Sequence, residues 1–262
     1  MKKISRVFIG VLTLVLVGGG AAEATRGPQG ITKTIHNLST SQVEDTYRSD
    51  NEDQVCVFCH TPHGGSLDGP LWNRSSPTAT KYTHYNSASL SGYLQGLGAT
   101  RAVEKESLLC LSCHDGSISI NTLMNFSNTT PNPTHWGGAT NYPIPFTTFP
   151  DGNNPGALVG GSRAEGAVDW DLSDDHPISF KYGMVVTDKP AEFKDVTTAE
   201  EDGGVRFFGG AEKRVECSSC HDPHVMYDSK YGGSNPLADE SYRPFLITSN
   251  AGSAMCLACH TK

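Results

Sequence analysis

The feature that most constrains this chain of 262 residues is a five-residue pattern, Cys-x-x-Cys-His, which occurs four times. Such a pattern is the attachment sequence of a c-type haem: the sulfurs bond to the porphyrin and the histidine binds the iron. The four copies use all eight cysteines, so none remains for a disulfide or a free nucleophile. We therefore predict four covalent haem c groups. They would be attached at Cys56/Cys59, Cys110/Cys113, Cys217/Cys220 and Cys256/Cys259, with His60, His114, His221 and His260 as the first iron ligands.

The alternative interpretation of one Cys-x-x-Cys pair is a zinc half-site or a redox-active dithiol. Here a histidine directly follows the second cysteine in all four pairs, which favours haem over two paired zinc sites. A helix predicted over Val103–His114 would place Cys110, Cys113 and His114 on one face of a single turn. The sulfurs and the imidazole could then reach the same haem.

The N-terminus predicts export. A basic start precedes an apolar run at residues 8–17, and Ala22-Glu23-Ala24 offers the small residues of a cleavage site. The run is shorter than the roughly 20 residues of a membrane-spanning helix, which argues against an anchor. We expect residues 1–24 to be a signal peptide that is removed. The mature chain would then act outside the cell or at its surface, with the periplasm as the alternative.

The composition predicts a fold organised by cofactors. Only 37% of the residues are apolar, and 28 glycines and 15 prolines disfavour long regular elements. Porphyrin rings would replace much of the side-chain core. We predict a mostly irregular, haem-organised multihaem cytochrome c fold, with short helices at the motifs and few short β-strands. Residues 25–262 would form one module, with an N-terminal arm at 25–55 and a loop or β-rich insertion at 121–161.

Repetition is expected only in the haem motif itself. The copies at residues 56–63 and 217–224 share the longer pattern Cys-x-x-Cys-His-x-Pro-His. The unequal spacing of the four motifs argues against a regular solenoid.

The charge of the chain limits its partners. The formal charge is −8, and loss of three basic and one acidic residue with the signal peptide brings it to −10. Nucleic acids and anionic lipids bind basic patches, so neither is expected here, and the mature chain is expected to have no membrane span. Redox partner cytochromes and extracellular acceptors such as metal oxides are the partners predicted.

Each iron needs a second axial ligand, and six histidines lie outside the motifs. Their excess over four positions favours bis-histidine ligation, although methionine is an alternative ligand. His63 and His224 each follow a motif histidine across a proline, which would direct them to a neighbouring iron. His176 has two aspartates beside it that could orient its ring, and His36 lies in the one apolar cluster of the arm. The two histidines in contexts typical of surface loops are left out: His84 and His135.

The segments around the motifs resemble those of a known family: CVFCHTPHGG, PLWNR, CLSCHDGS, SDDHPISF, CSSCHDPH and CLACH. The family is that of exported tetrahaem c-type cytochromes, which includes the OmcE-like subunits of extracellular cytochrome nanowires. The resemblance implies closely spaced bis-histidine haems. Filament members polymerise so that a histidine of one subunit ligates a haem of the next, and His36 on the N-terminal arm is the candidate for such exchange between copies of this chain. The distal ligands that the resemblance supports are His36, His63, His176 and His224.

These observations predict an electron-transfer protein, not an enzyme. We expect a tetrahaem cytochrome outside the cytoplasm, as a subunit of an extracellular conducting filament in which electrons hop between haems. One alternative is a soluble periplasmic tetrahaem carrier. The other is a multihaem reductase with one open iron site, which the surplus of histidines disfavours. Asn-x-Ser/Thr triplets, the pattern of glycosylation acceptors, begin at Asn37, Asn73, Asn125 and Asn128.

Overall fold

A computed structural model describes residues 30–42, 48–49, 52–115, 122–125, 142–143, 170–228 and 238–262, with the backbone alone at 122 and 142–143. The predicted signal peptide, most of the predicted insertion, His135 and Asn128 lie outside these residues. No helix in the described ranges is long and apolar enough to cross a membrane.

The helices of the described chain are short. Six are α-helical: α1 (Gly92–Leu97), α2 (Lys105–His114), α3 (Tyr182–Asp188), α4 (Val196–Glu201), α5 (Cys217–Cys220) and α6 (Ala254–Leu257). Five are 3₁₀ helices, at Ile31–Lys33, Val55–Phe58, Gly210–Glu212, Glu240–Tyr242 and Ala251–Ser253.

Local signals account for several helix ends. The Ser91 hydroxyl accepts from the backbone N–H of Leu94 at the start of α1, and the Asp195 carboxylate accepts from that of Thr198 at the start of α4. The helix predicted over Val103–His114 is confirmed, although α2 begins at Lys105. Val103 stays outside because the extended backbone of Glu104 separates it from the helix.

Three pairs of two-residue strands are present in the described residues. β1 (Thr83–His84) is parallel to β4 (Asp171–Leu172), with Thr83 opposite Asp171. The antiparallel pairs are β2 (Thr122–Leu123) with β3 (Tyr142–Pro143), and β5 (Phe180–Lys181) with β6 (Arg214–Val215). Irregular chain joins these short elements.

Two apolar clusters lie among the described residues. The larger cluster joins α1, α3 and α4 to the third and fourth Cys-x-x-Cys-His motifs, and consists of Leu94, Phe180, Tyr182, Val185, Ala199, Val205, Val215, Leu246, Ile247, Met255 and Ala258. The smaller cluster packs beside the second motif and consists of Tyr82, Val103, Leu108 and Leu111. Both clusters therefore pack against motif-bearing segments.

His84 belongs to the interior. It is 1% exposed, and its Nε2 lies 3.0 Å from the carbonyl oxygen of Arg101. Burial, followed by the charge of Arg101, lowers the pKa of His84 to about 4. The expectation that this residue lies in a surface loop is wrong, because strand β1 carries its side chain inward.

Candidate haem-binding sites

Each Cys-x-x-Cys-His motif forms one helical turn. The second motif ends α2, and the first begins within the 3₁₀ helix Val55–Phe58. Such a turn directs the first cysteine and the histidine to the same side, as the haem attachment chemistry requires. In the first, third and fourth motifs, the histidine N–H donates to the carbonyl of the first cysteine: His60 to Cys56 at 2.8 Å, His221 to Cys217 at 3.0 Å and His260 to Cys256 at 2.9 Å.

Backbone carbonyls orient two of the motif histidines. Nδ1 of His60 lies 3.1 Å from the carbonyl oxygen of Pro70, and Nδ1 of His221 lies 2.8 Å from that of Pro244. A carbonyl can only accept, so Nδ1 carries the proton in both rings. In the neutral tautomer that keeps this hydrogen bond, Nε2 is the nitrogen left to bind a metal.

The two prolines begin equivalent segments, each of which we call a proline bracket: residues 70–73 and 244–247. The residue after the proline has a left-handed backbone in each, with φ of 52° at Leu71 and 59° at Phe245. The next residue forms an isolated β-bridge to the motif histidine, Trp72 to His60 and Leu246 to His221.

The hydrogen bonds of the two brackets also correspond. In the first, Thr61 N–H donates to Leu71 at 2.8 Å and Asn73 N–H donates to Cys59 at 2.9 Å. The second has the same pair of bonds: the N–H of Asp222 donates to the carbonyl of Phe245 at 2.7 Å, and that of Ile247 to the carbonyl of Cys220 at 2.9 Å. The repeat thus extends beyond the motif. The sequence signal is weak: a proline followed by a large apolar residue, at different distances from the motif.

Two distal candidates lie opposite motif histidines. The ring centres of His36 and His114 are 6.2 Å apart, and those of His176 and His260 are 6.5 Å apart. Metal–imidazole bonds are about 2 Å long and the ring centre lies about 1.1 Å behind the bonding nitrogen, so two rings on opposite sides of one metal have centres about 6 Å apart. Both pairs have this spacing.

The surroundings keep His36 neutral. Its ring lies 4.4 Å from that of Phe245, and its Nδ1 is buried with no hydrogen-bond partner in the described chain. Burial, and then the nearby His114 and His224, lower the pKa of His36 to about 3. Neutral imidazole is the form that ligates a metal.

The ring of His176 lies against its own backbone. Its Nδ1 is 2.9 Å from the carbonyl oxygen of Pro177, the next residue. That Asp174 or Asp175 orients the ring stays a prediction.

The structure does not bring the other two distal candidates to a motif histidine ring. His63 and His224 are both exposed. Asp222 holds His224, accepting from its Nδ1 at 2.7 Å and from its backbone N–H at 3.0 Å. Thr61 is the equivalent residue in the first copy and donates to the carbonyl of His63 at 2.9 Å. The two exposed histidines are thus positioned by their own segments.

These contacts show the same order of features twice, once in each half of the described chain. In each half a histidine precedes a Cys-x-x-Cys-His-x-Pro-His segment, a proline bracket follows, and a plain Cys-x-x-Cys-His motif ends the half. The leading histidine faces the histidine of the plain motif, His36 with His114 and His176 with His260. Unequal connecting lengths conceal this order in the sequence.

Consecutive motifs are neighbours in space. A hydrogen bond between the thiols of Cys110 and Cys217 raises the pKa of the first and lowers that of the second. Burial, and then Cys113, raise the pKa of Cys59 to about 12. Burial, and then Cys259, likewise raise the pKa of Cys220 to about 12. The motifs therefore follow one another in space in chain order.

Two buried charged residues at the junctions between motifs were not identified from the sequence. Arg74 is fully buried, and its Nη2 donates to the carbonyl of Ser112 in the second motif at 3.2 Å. Glu216 is 1% exposed and directly precedes the third motif. No pattern marks either residue, because their burial depends on long-range packing.

Three of the possible glycosylation acceptors are committed to internal hydrogen bonds. The amide nitrogen of Asn37 donates to the carbonyl of Thr32, that of Asn73 to Val57, and that of Asn125 to Gly64. Asn37 and Asn73 are fully buried. Neither can accept a glycan in this fold.

The donor set fits haem c: two thiols and an imidazole on one turn, with a second imidazole opposite in two cases. In the described chain, no group of three or more His, Cys, Asp or Glu is arranged to hold a bare metal ion. Neither a scan against protein-family models nor a search of the curated proteins finds a match.

Proposed function

We propose that this chain is a tetrahaem c-type cytochrome that transfers electrons outside the cytoplasm. The observation that carries the proposal is the placement of His36 and His176 opposite the histidines of two attachment motifs, at the spacing of two imidazoles on one metal. Bis-histidine haem c, when bound, supplies a one-electron iron couple. No substrate chemistry is required of the chain, and we propose that it is not an enzyme.

The chain's own residues would set the ligand geometry. We assign His36 with His114 to the second iron, and His176 with His260 to the fourth. The carbonyls of Pro70 and Pro244 keep Nε2 of the two remaining motif histidines free for the first and third irons. The distal ligands assigned to these two irons are His63 and His224.

The order of the motifs supports a linear path. The pairs of neighbouring cysteines join the first motif to the second, the second to the third and the third to the fourth. Electrons would pass in that order, because hopping is fastest between the nearest sites. The path would then run along the whole described chain.

We also propose, on the family resemblance, that the protein is a subunit of an extracellular filament. His36 faces His114 of its own chain, which supports an intrachain role and not the exchange expected from the arm. His63 and His224 are exposed, so a distal ligand that is exchanged between copies would be one of these two. Other copies of the chain, redox partner cytochromes and metal oxides are the proposed partners.

Purified protein tests the proposal in two steps. Mass spectrometry should give the mass of the mature chain plus four haems, and electron paramagnetic resonance should show low-spin iron only. Negative-stain images of the exported fraction should show filaments. Uniform small particles would support a soluble periplasmic carrier instead, and a high-spin iron with enzyme-like turnover of nitrite would support a reductase. A colourless protein would overturn the proposal.

A further inference from the structure

Glu216 lies where the second and third motifs meet. It is the residue before α5, which begins with Cys217 of the third motif, and its side chain reaches α2, which carries Cys110 of the second. The backbone N–H of Cys217 donates to the hydroxyl of Ser107 on α2 at 3.0 Å. Glu216 is therefore beside the junction of the second and third haem sites, five positions from the nearest proposed iron ligand, His221.

The carboxylate of Glu216 is held in one orientation. Oε2 accepts from the hydroxyl of Ser107 at 2.5 Å and from that of Ser179 at 2.9 Å. Its backbone N–H donates to the hydroxyl of Ser219 at 2.9 Å. Two serines from two other segments thus hold the carboxylate of a side chain that is 1% exposed, and Ser219 holds its backbone.

The environment does not neutralise this carboxylate. Oε1 is buried and has no hydrogen-bond partner in the described chain, and no described cation forms an ion pair with Glu216. Buried, unpaired carboxylates are costly, and protonation removes the cost. Burial accordingly raises the pKa of Glu216 to about 7, against the two serine hydrogen bonds that lower it.

The charged groups that face Glu216 come from both packed segments. Glu106 on α2 and Glu104 just before it raise the pKa of Glu216 further. Arg101 opposes them, but its guanidinium donates to the carbonyl of Ile178 at 3.0 and 3.2 Å. Arg214 on β6 is paired with Glu104 at 3.3 Å. Cys217 would carry no charge as a thioether.

We propose that Glu216 is a redox-linked protonation site, which binds one proton when an adjoining iron gains one electron. The inference rests on the proposed function. The charges balance: Fe(III), an electron from a low-potential reductant, the Glu216 carboxylate and a proton give Fe(II) and the Glu216 carboxylic acid. Reduction removes a positive charge near the carboxylate, which weakens the stabilisation of its ionised form. Electron transfer through the second and third sites is thereby linked to proton uptake.

Spectroelectrochemical titration with dithionite at several pH values between 5.5 and 8.5 tests the link. In the wild type, the potential of at least one of the four components should fall as pH rises around 7. The slope has a limit of about 59 mV per pH unit, for one proton per electron. Glu216→Gln should remove that slope. The control Glu201→Gln, which removes an exposed carboxylate at the end of α4, should keep it. Equal slopes in the wild type and Glu216→Gln would overturn the inference.

A second variant covers the case in which Glu216→Gln does not bind four haems. Ser179→Ala removes one donor to the ionised carboxylate. The pH range over which the potential falls should therefore shift to higher pH. Reduction-induced infrared difference spectra should show a protonated-carboxyl C=O band, formed at higher pH in Ser179→Ala than in the wild type. An unchanged pH range in Ser179→Ala would overturn the inference. Four titrating haems with no such effect would leave the proposed function intact, whereas absence of haem would remove both.

Discussion

The imidazole of His36 lies 6.2 Å, centre to centre, from that of His114, although the first histidine precedes all four motifs and the second ends the second motif. The same relationship recurs in the second half, where His176 faces His260 at 6.5 Å. In each half, the leading histidine therefore contacts the histidine of the last motif.

Removing one leading histidine should affect one iron. In His36→Ala or His176→Ala, we expect one haem in four to become high-spin, because the opposite motif histidine remains as its only strong ligand. Electron paramagnetic resonance on haem-quantified samples measures this fraction. The control His84→Gln should stay fully low-spin, since His84 Nε2 bonds to the Arg101 carbonyl. An unchanged low-spin spectrum in both alanine variants would contradict the assignment of the two pairs.

A glycine substitution at the left-handed residue should change the free energy of unfolding differently in the two proline brackets. Leu71 is 53% exposed with a left-handed backbone, so Leu71→Gly should change the free energy of unfolding by no more than about 1 kcal/mol, in the stabilising direction. Phe245 has the same backbone but is 8% exposed and packs on His36 and Tyr227. Phe245→Gly should cost about 2–4 kcal/mol. Urea unfolding followed by circular dichroism compares the two, and equal losses would contradict the packing.

The buried guanidinium of Arg74 should stabilise the junction of the first two motifs. Arg74→Met removes the donor to the buried carbonyl of Ser112 and should lower the free energy of unfolding by about 1–3 kcal/mol. Arg243 offers a control, because its side chain is 56% exposed where it pairs with Glu240 and Asp228. Arg243→Met should have an effect within about 0.5 kcal/mol in the same urea experiment. A smaller loss for Arg74 than for Arg243 would contradict the prediction.

His84 should make the protein less stable in mild acid. Its pKa is about 4 in the folded chain against an ordinary value of 6.5, so only the unfolded chain binds the proton between these values. The free energy of unfolding should thus fall as pH drops from 6.5 to 4, by about 2–3 kcal/mol from this residue. In His84→Gln, whose amide can donate to the same carbonyl, the pH dependence over that window should be weaker. An identical slope in the two proteins would count against a buried neutral His84.

The comparison of His36 with His84 shows how far sequence reasoning reaches. Both histidines lie outside the motifs, and the apolar neighbours of His36 favoured it as a distal ligand, which stays a prediction. His84 was expected at the surface because tyrosine and threonine surround it, yet strand pairing with Asp171–Leu172 and the Arg101 carbonyl draw it inside. Short-range context does not reveal such contacts, since they join segments far apart in the chain.

The sequence by itself determined the four Cys-x-x-Cys-His turns, because the two cysteines and the histidine lie within one helical turn whose hydrogen bonds are local. It also determined that α2 is a helix. Only the tertiary structure decided which histidine faces which motif, how the proline brackets orient His60 and His221, and that Glu216 is buried between two motifs. These relationships come from packing between distant segments. No residue spacing encodes them, because connections of different length bring equivalent residues to equivalent positions.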